Sequence, residues 1–349
     1  MQLEVRTNTP FWLVLFAPLF AMIVALSLCS VLIIWADAPV FTAYGALLNG
    51  GLGSRFAIME TLSRSIPLIF TGLAVAVAFR SKFYNIGCEG QLYCGALAAV
   101  YIGSGMITLP PIAMIPLLML CGVIAGGLLL IVPVLLKTHL KVDEVVTTLL
   151  LNFIVLLMVS YLIEGPMKDP ASLGWPQTAS IIDEGVFPPL FEKSRVHLGL
   201  IFALIAAVIT WIVMRFTTFG YASRAVGLNL QASNFFGIPV NMTIIKVSLI
   251  SGGLAGLAGV SEVAGLKGYL TLDLSPGFGY TGIVVAMLAQ LNPIGVVISA
   301  FFISVVYVGA DSMSRVLNIP AYLADVIVGV SVLCVLVSVM FTQYRLRFK

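Results

Sequence analysis

The chain is built from long, unbroken apolar runs separated by short breaks rich in Gly, Pro, Asn or a few charges. Runs of about 20 apolar residues have the length a helix needs to cross a bilayer. The pattern predicts helices at about 11–35, 56–79, 85–105, 112–136 and 144–163, then a polar loop, then helices at about 197–215, 243–263, 280–290, 293–312 and 322–342. The eighth run is too short to span alone and reads as a broken or tilted piece, which is tolerated only where protein or water satisfies its backbone. The strict apolar/polar alternation of an outer-membrane barrel is absent. The expected fold is therefore an all-α polytopic membrane protein with about ten spans, forming a single transmembrane domain over residues 1–349.

Composition sharpens this picture. Of 349 residues, 60% are hydrophobic and only 9% charged, against roughly 25% charged in soluble domains. Mean hydropathy is +1.10, which excludes a soluble enzyme and a nucleic-acid binder. The run from Phe11 to Trp35 is too long for a signal-peptide core and lacks a small-residue cleavage site, so an uncleaved first helix is expected. Cys29, Cys88, Cys94, Cys121 and Cys334 sit singly in apolar runs, as buried side chains do, with no metal-ligand spacing.

Charge placement sets an orientation. Arg6, Arg80, Lys82, Lys137, Lys141, Arg215, Arg224, Arg345, Arg347 and Lys349 share one side, against Arg55, Lys267 and Arg315 in the opposite short loops. Positive charge marks the cytoplasm, so both termini are expected there. The loop at about 164–196, with Lys168, Lys193 and Arg195 among its charges and Pro166, Pro170, Pro176, Pro188 and Pro189, is expected outside and ordered by turns. Helices two to five and seven to ten then run in opposite directions, the plan of an inverted repeat with a solute path at its interface. No phosphate-binding Gly-x-x-x-x-Gly-Lys-Ser/Thr loop is present, so any uphill transport must draw its energy from another subunit.

The cytoplasmic segment at about 216–242 carries the clearest local signal. Asn229 can cap a short helix from Leu230 to Phe236, and Gly237 followed by Pro239 can end it. An apolar helix that no bilayer covers either docks a partner or packs under the bundle. Here a resemblance becomes specific. Arg224-Ala225-Val-Gly227-x-Asn229, with Ala232, Phe236 and Gly237, resembles the coupling region of sugar and nucleoside ABC-importer permeases, the branched family that includes ribose-type transporters. Phe83-Tyr-Asn85-Ile-Gly-Cys-Glu89-Gly-Gln91 is similar to the signature of the nucleoside branch, as are Asp143–Asn152 with Glu164–Pro170, Ser251–Gly259 and Gly277–Ala286. The likeness covers roughly residues 60 to 312. Leu230 and Gln231 stand where that family commonly has Pro and Glu, and Thr281 where an acid is common.

The resemblance implies a type II importer-like permease in the bacterial inner membrane, working by alternating access. It implies a separate ATPase subunit that binds ATP and Mg, with no cofactor in this chain. A second permease, in a heterodimer or a homodimer, would complete the pore, and a periplasmic or lipid-anchored binding protein would deliver the cargo. Nucleosides are the expected cargo, with simple sugars of the ribose or galactose type as the alternative. An ion-coupled carrier acting alone is the alternative of a different class.

Polar residues inside the spans are the remaining candidates, because burying them in lipid is costly. Asn85, Glu89 and Gln91 cluster at the start of the third helix, and Asn152 lies inside the fifth. Each either pins helices together or lines the path, and Glu262 and Thr281 join them as path candidates. Asp143 and Glu144 are placed to cap the fifth helix, and Glu60 and Arg64 are an i,i+4 pair on the second. Gly252, Gly256 and Gly259 have the small-residue spacing of close helix packing.

Overall fold

The computed structural model describes residues 2–5, 11–192 and 194–347; Arg6, Lys193 and Lys349, used above as charge markers, lie outside them. The described residues form thirteen α-helices and one short two-stranded ribbon. They divide into two compact units, Met1–Arg64 with Phe301–Lys349, and Ser65–Ala300.

In the first unit, helix α1 (Phe11–Trp35) packs against α13 (Ala321–Gln343), and strand β1 (Gln2–Val5) pairs antiparallel with β2 (Tyr344–Arg347), so the two chain ends lie side by side. The pattern of apolar runs misses α2 (Val40–Leu52), a 13-residue helix bent 119° from the end of α1. Gly45, Gly50, Gly51 and Asn49 dilute its apolar signal. Its buried face, Ala43 and Leu47, joins Cys29, Ile33, Met313 and Ile327 in one core. Helix α3 (Arg55–Arg80) begins in this unit and α12 (Pro293–Leu317) ends in it.

The second unit centres on α4 (Cys88–Gly103), α5 (Pro111–Leu140), α6 (Glu144–Glu164) and α10 (Val240–Glu262). Local chemistry sets their ends. Pro111 opens α5 at a position where a missing N–H costs nothing. Asp143 caps α6, its carboxylate accepting from Val145 N at 2.8 Å. Thr217 caps α8 (Thr218–Leu228), a helix that the apolar pattern also misses because it is short and broken by Gly220, Gly227 and polar residues. Helix α7 (Gly199–Phe216) precedes it, and α9 (Leu230–Phe235) and α11 (Phe278–Leu288) complete the unit.

Six helices among the described residues are long and apolar enough to cross a membrane, or seven if the bent α1–α2 pair counts as one span. Length accounts for the loss of two of the ten expected spans, α4 and α11. At 1.5 Å per residue the 16 residues of α4 reach only about 24 Å and the 11 of α11 about 17 Å, short of a hydrocarbon core of about 30 Å.

The long loop is ordered by its contacts with the segment that follows α10. Thr178 N donates to Leu270 O at 3.1 Å, Ile181 N to Gly268 O at 2.7 Å and Phe187 N to Ala264 O at 2.7 Å. His197 closes the loop. It is 3% exposed, its Nδ1 accepts from Gly199 N at 3.2 Å, and its ring lies where a side chain on Gly265 would stand. Burial pushes its pKa down from 6.5 to about 4, so His197 is neutral in the closed loop. Between these values the open loop binds a proton that the closed loop does not, and the closed form loses stability as pH falls. We expect the opening equilibrium of residues 177–198 to rise on the order of 100-fold from pH 7 to pH 4. Hydrogen exchange, corrected for intrinsic rates, reads this directly; a wild-type curve as flat as that of His197→Gln contradicts it.

Candidate functional site

The site grows from an interruption. After α3 the chain does not enter α4 directly; Ser81 to Gly87 is irregular, and most of it is buried. The pattern of apolar runs places Asn85 on the first turn of a helix, but α4 starts at Cys88, because the Asn85 side chain turns back to accept from Gly87 N at 2.9 Å. Asn85 and Glu89 therefore do not share a helical face.

Buried irregular backbone needs partners, and one face of α6 supplies them. Glu144, Thr148 and Asn152 are four residues apart, so they stack along that face. Glu144 Oε1 accepts from Tyr84 N at 3.2 Å, Thr148 Oγ1 from Ile86 N at 3.2 Å and Asn152 Oδ1 from Gly90 N at 2.9 Å. The Asn152 amide also donates to Ile86 O at 3.0 Å and to the Tyr280 hydroxyl of α11 at 3.1 Å. Lys137, at the end of α5, forms an ion pair with Glu144 and donates to Lys82 O. Asp143 thus caps the helix, whereas Glu144 reaches across to the interrupted strand of chain.

On the other side, Asn85 and Gln91 form a reciprocal amide pair, Nδ2 to Oε1 at 2.9 Å and Nε2 to Oδ1 at 3.0 Å. Asn85 also donates to Ser251 Oγ of α10 at 3.0 Å, and Ser251 donates to Ala74 O of α3 at 2.8 Å. Three helices and the interruption are joined in one buried network.

Helix α11 is the second short helix, and its N-terminus meets that of α4. Glu89 Oε2 accepts from Gly279 N at 2.6 Å, so a carboxylate from the first turn of α4 also serves the unpaired N–H groups of α11. A side chain on Gly279 would stand 2.2 Å from Glu89 N, so only glycine admits this approach. Ser275 Oγ accepts from Gly277 N at 3.1 Å and Phe278 N at 2.9 Å, and the Tyr93 hydroxyl of α4 donates to Leu272 O at 2.5 Å. Two short helices thus meet at their N-terminal ends, with the Glu89 side chain between them.

The structure brings Asn85, Glu89, Gln91 and Asn152 together, all buried. Thr281 lies one turn into α11, and Glu262 is the buried last residue of α10. Gly252, Gly256 and Gly259 lie on α10, against α5 and α4. Sequence reasoning passes over Thr148, Ser251, Tyr93, Ser275 and Tyr280. For Thr148 a signal exists: Glu144, Thr148 and Asn152 form a polar stripe at i, i+4 and i+8 on an otherwise apolar helix.

A separate feature lies between α7 and α10. Asn229 Oδ1 accepts from Ala232 N at 3.0 Å, capping α9, and Gly237 turns the chain with a φ of +78°. Leu228, Leu230, Phe235 and Phe236 are exposed. The base of the segment is anchored: Arg224 donates to Met214 O, and Gly227 fits so closely on α3 that a Cβ would stand 2.0 Å from Arg80 O. Ala225 is half-buried in this base. Val226 and Ile238 pack with Ala78, Phe83, Leu130, Val134 and Ile244.

Known proteins share this chain's sequence at length. Residues 57–336 match the family described as the permease component of branched-chain amino acid transport systems. The chain is 35% identical to the guanosine ABC transporter permease protein NupP of Bacillus subtilis, over 96% of this chain and 95% of that protein. It is 33% identical to the glucose ABC transporter permease protein TsgB13 of Haloferax volcanii, over 99% and 93%. Identity to the nucleoside ABC transporter permease protein NupB of Lactococcus lactis is 32%, over 85% and 84%. With that match over most of its length and its long apolar helices, this chain belongs to the permease-component family of multi-pass membrane proteins.

Proposed function

We propose that this chain is the transmembrane permease subunit of an ATP-driven ABC importer for nucleosides. The observation that carries the reading is the likeness, over nearly the whole chain, to relatives named for guanosine and for nucleosides. The relative named for glucose keeps a sugar cargo as the second reading. The α4–α11 junction supports a translocation path past Asn85, Glu89, Gln91, Asn152, Glu262 and Thr281. Amides, a carboxylate and hydroxyls there can exchange internal hydrogen bonds for those of a neutral, hydroxylated solute.

The subunit acts with a separate ATPase, which holds ATP and Mg, with a second permease, and with a binding protein that delivers cargo from outside. Antiparallel pairing of β1 with β2 supports both termini on one side of the inner membrane, and the charge distribution makes that side cytoplasmic. The capped α9 with its exposed Phe pair supports docking of the ATPase there.

Proteoliposomes holding the assembled transporter, with ATP inside and binding protein outside, should accumulate tritiated guanosine or uridine only when ATP is hydrolysed. ATP-dependent glucose uptake without nucleoside uptake selects the sugar reading. Nucleoside uptake by this chain alone, driven by an ion gradient, refutes the ABC reading.

A further inference from the structure

The first unit holds an open cleft of about 520 Å³ that none of the functional reading above uses. Its volume falls in the range of small-molecule sites, and its walls are built tightly. A side chain on Gly50 of α2 would stand 2.1 Å from Ser312 Cβ, and one on Gly309 would stand 2.4 Å from Leu47 O, so α2 and α12 touch backbone to backbone. Thr61 Oγ1 donates to Gly51 O at 2.9 Å, holding α2 to α3, and Arg64 meets Asp311 at 3.1 Å. Ser54 Oγ accepts from Ala57 N at 3.0 Å and so caps α3 at the cleft edge.

The lining has a definite chemical character. Thr42, Asn49, Phe56, Glu60, Ser312 and Arg315 all face it. Its one acid and one base cancel, so the cleft favours a neutral solute over an anion such as a nucleotide. A carboxylate accepts from both hydroxyls of a vicinal diol, and an amide both donates to and accepts from the edge of a heterocycle. A phenyl face and a guanidinium plane each stack on a flat ring. Together these match a molecule that is half diol-bearing sugar and half planar base.

The geometry points to this cleft as a receiving site where a nucleoside, as a neutral diol-plus-heterocycle, is held before translocation. Glu60 takes the ribose hydroxyls, Asn49 reads the base edge, and Phe56 and Arg315 flank the ring. The inference rests on the nucleoside reading. It also rests on the charge-derived topology, in which Arg55 and Arg315 mark the outer side, where cargo arrives.

The test uses the complete transporter, with ATPase, second permease and binding protein, in nanodiscs. Photolabelling with 8-azidoadenosine should modify peptides covering 42–60 and 308–316, and unlabelled adenosine should compete. Glu60→Gln should reduce that labelling at least tenfold. Arg315→Gln, at an exposed position where folding is not at stake, should do the same. Label found only elsewhere, label that adenosine does not displace, or label that neither variant reduces overturns this inference. ATP-driven nucleoside uptake by the same wild-type transporter reconstituted in proteoliposomes shows that the functional reading survives such a failure; absence of that uptake overturns both.

Discussion

Replacing Gly256 by leucine should abolish accumulation of the folded protein. Helices α4, α5 and α10 meet backbone to backbone at glycines, with glycine on both sides where α10 meets Gly122 and Gly95. A Cβ on Gly256 would stand 2.1 Å from Gly122 O, one on Gly95 would stand 2.2 Å from Gly256 O, and one on Gly259 would stand 1.9 Å from Leu92 O. These neighbours are carbonyls of other helices and no side-chain rotation relieves the clash. The helices would have to separate by about 1 Å, which strips close contacts along the interface, and overpacking of this kind costs about 1–3 kcal/mol or more. Separation would also pull Ser251 away from Asn85, which it meets at 3.0 Å, and would strand buried polar groups at about 1–3 kcal/mol each. Gly127→Ala is the control, since its Cβ would meet Leu249 O at 3.2 Å and needs only a small adjustment. Detergent-extracted protein run on size-exclusion chromatography should show a normal monodisperse peak for Gly127→Ala and none for Gly256→Leu. A normal peak for Gly256→Leu would mean that α10 is free to move off α5.

How far the sequence reveals this fold depends on what each segment asks of it. Long apolar runs are legible because membrane thickness demands them, so α1, α3, α6 and α7 fall within two residues of the expected limits. The two helices it does not reveal, α2 and α8, are 13 and 11 residues long. Their glycines and polar residues look like loop, because their helicity is fixed by tertiary packing that no local pattern encodes. The limits of α9 are legible for the opposite reason: Asn229 and Gly237 are local signals with local geometry. At the polar centre, residue type alone singles out Asn85, Glu89, Gln91 and Asn152. The partnerships do not follow from type. Glu89 meets Gly279 across 190 residues of sequence, and Asn152 meets Gly90 across 62. Such contacts depend on where the chain leaves the helix, and that is decided by the Asn85 side chain competing with the backbone.

The second large effect is expected at the segment carrying α9. Phe235 and Phe236 are 87% and 81% exposed, with rings 5.7 Å apart in an edge-to-face pair. Two paired aromatic rings left in water are the kind of anchor that supplies most of an interface's energy, about 2 kcal/mol or more each. Below them the segment is held by Val226, Ile238 and the Gly227–Arg80 approach, so removing the rings leaves its foundation intact. Phe83 belongs to the same cluster and sits beside Tyr84, whose N–H is held by Glu144. Packed side chains and the α6 polar face therefore connect the base of the α9 segment to the interrupted segment, the route along which the proposed docking would act. The double variant Phe235→Ala, Phe236→Ala should lower transport-coupled ATP turnover at least tenfold in the reconstituted transporter, with normal assembly of the helical bundle. Gly237→Ala separates docking from shape. Its Cβ meets nothing within 4 Å, so its effect comes from the positive φ alone, about 1–2 kcal/mol, and turnover should fall severalfold by tilting the pair of rings. If the double variant hydrolyses ATP at the wild-type rate while importing solute, the ATPase docks at another surface. If turnover persists without import, the rings transmit force but do not provide the grip.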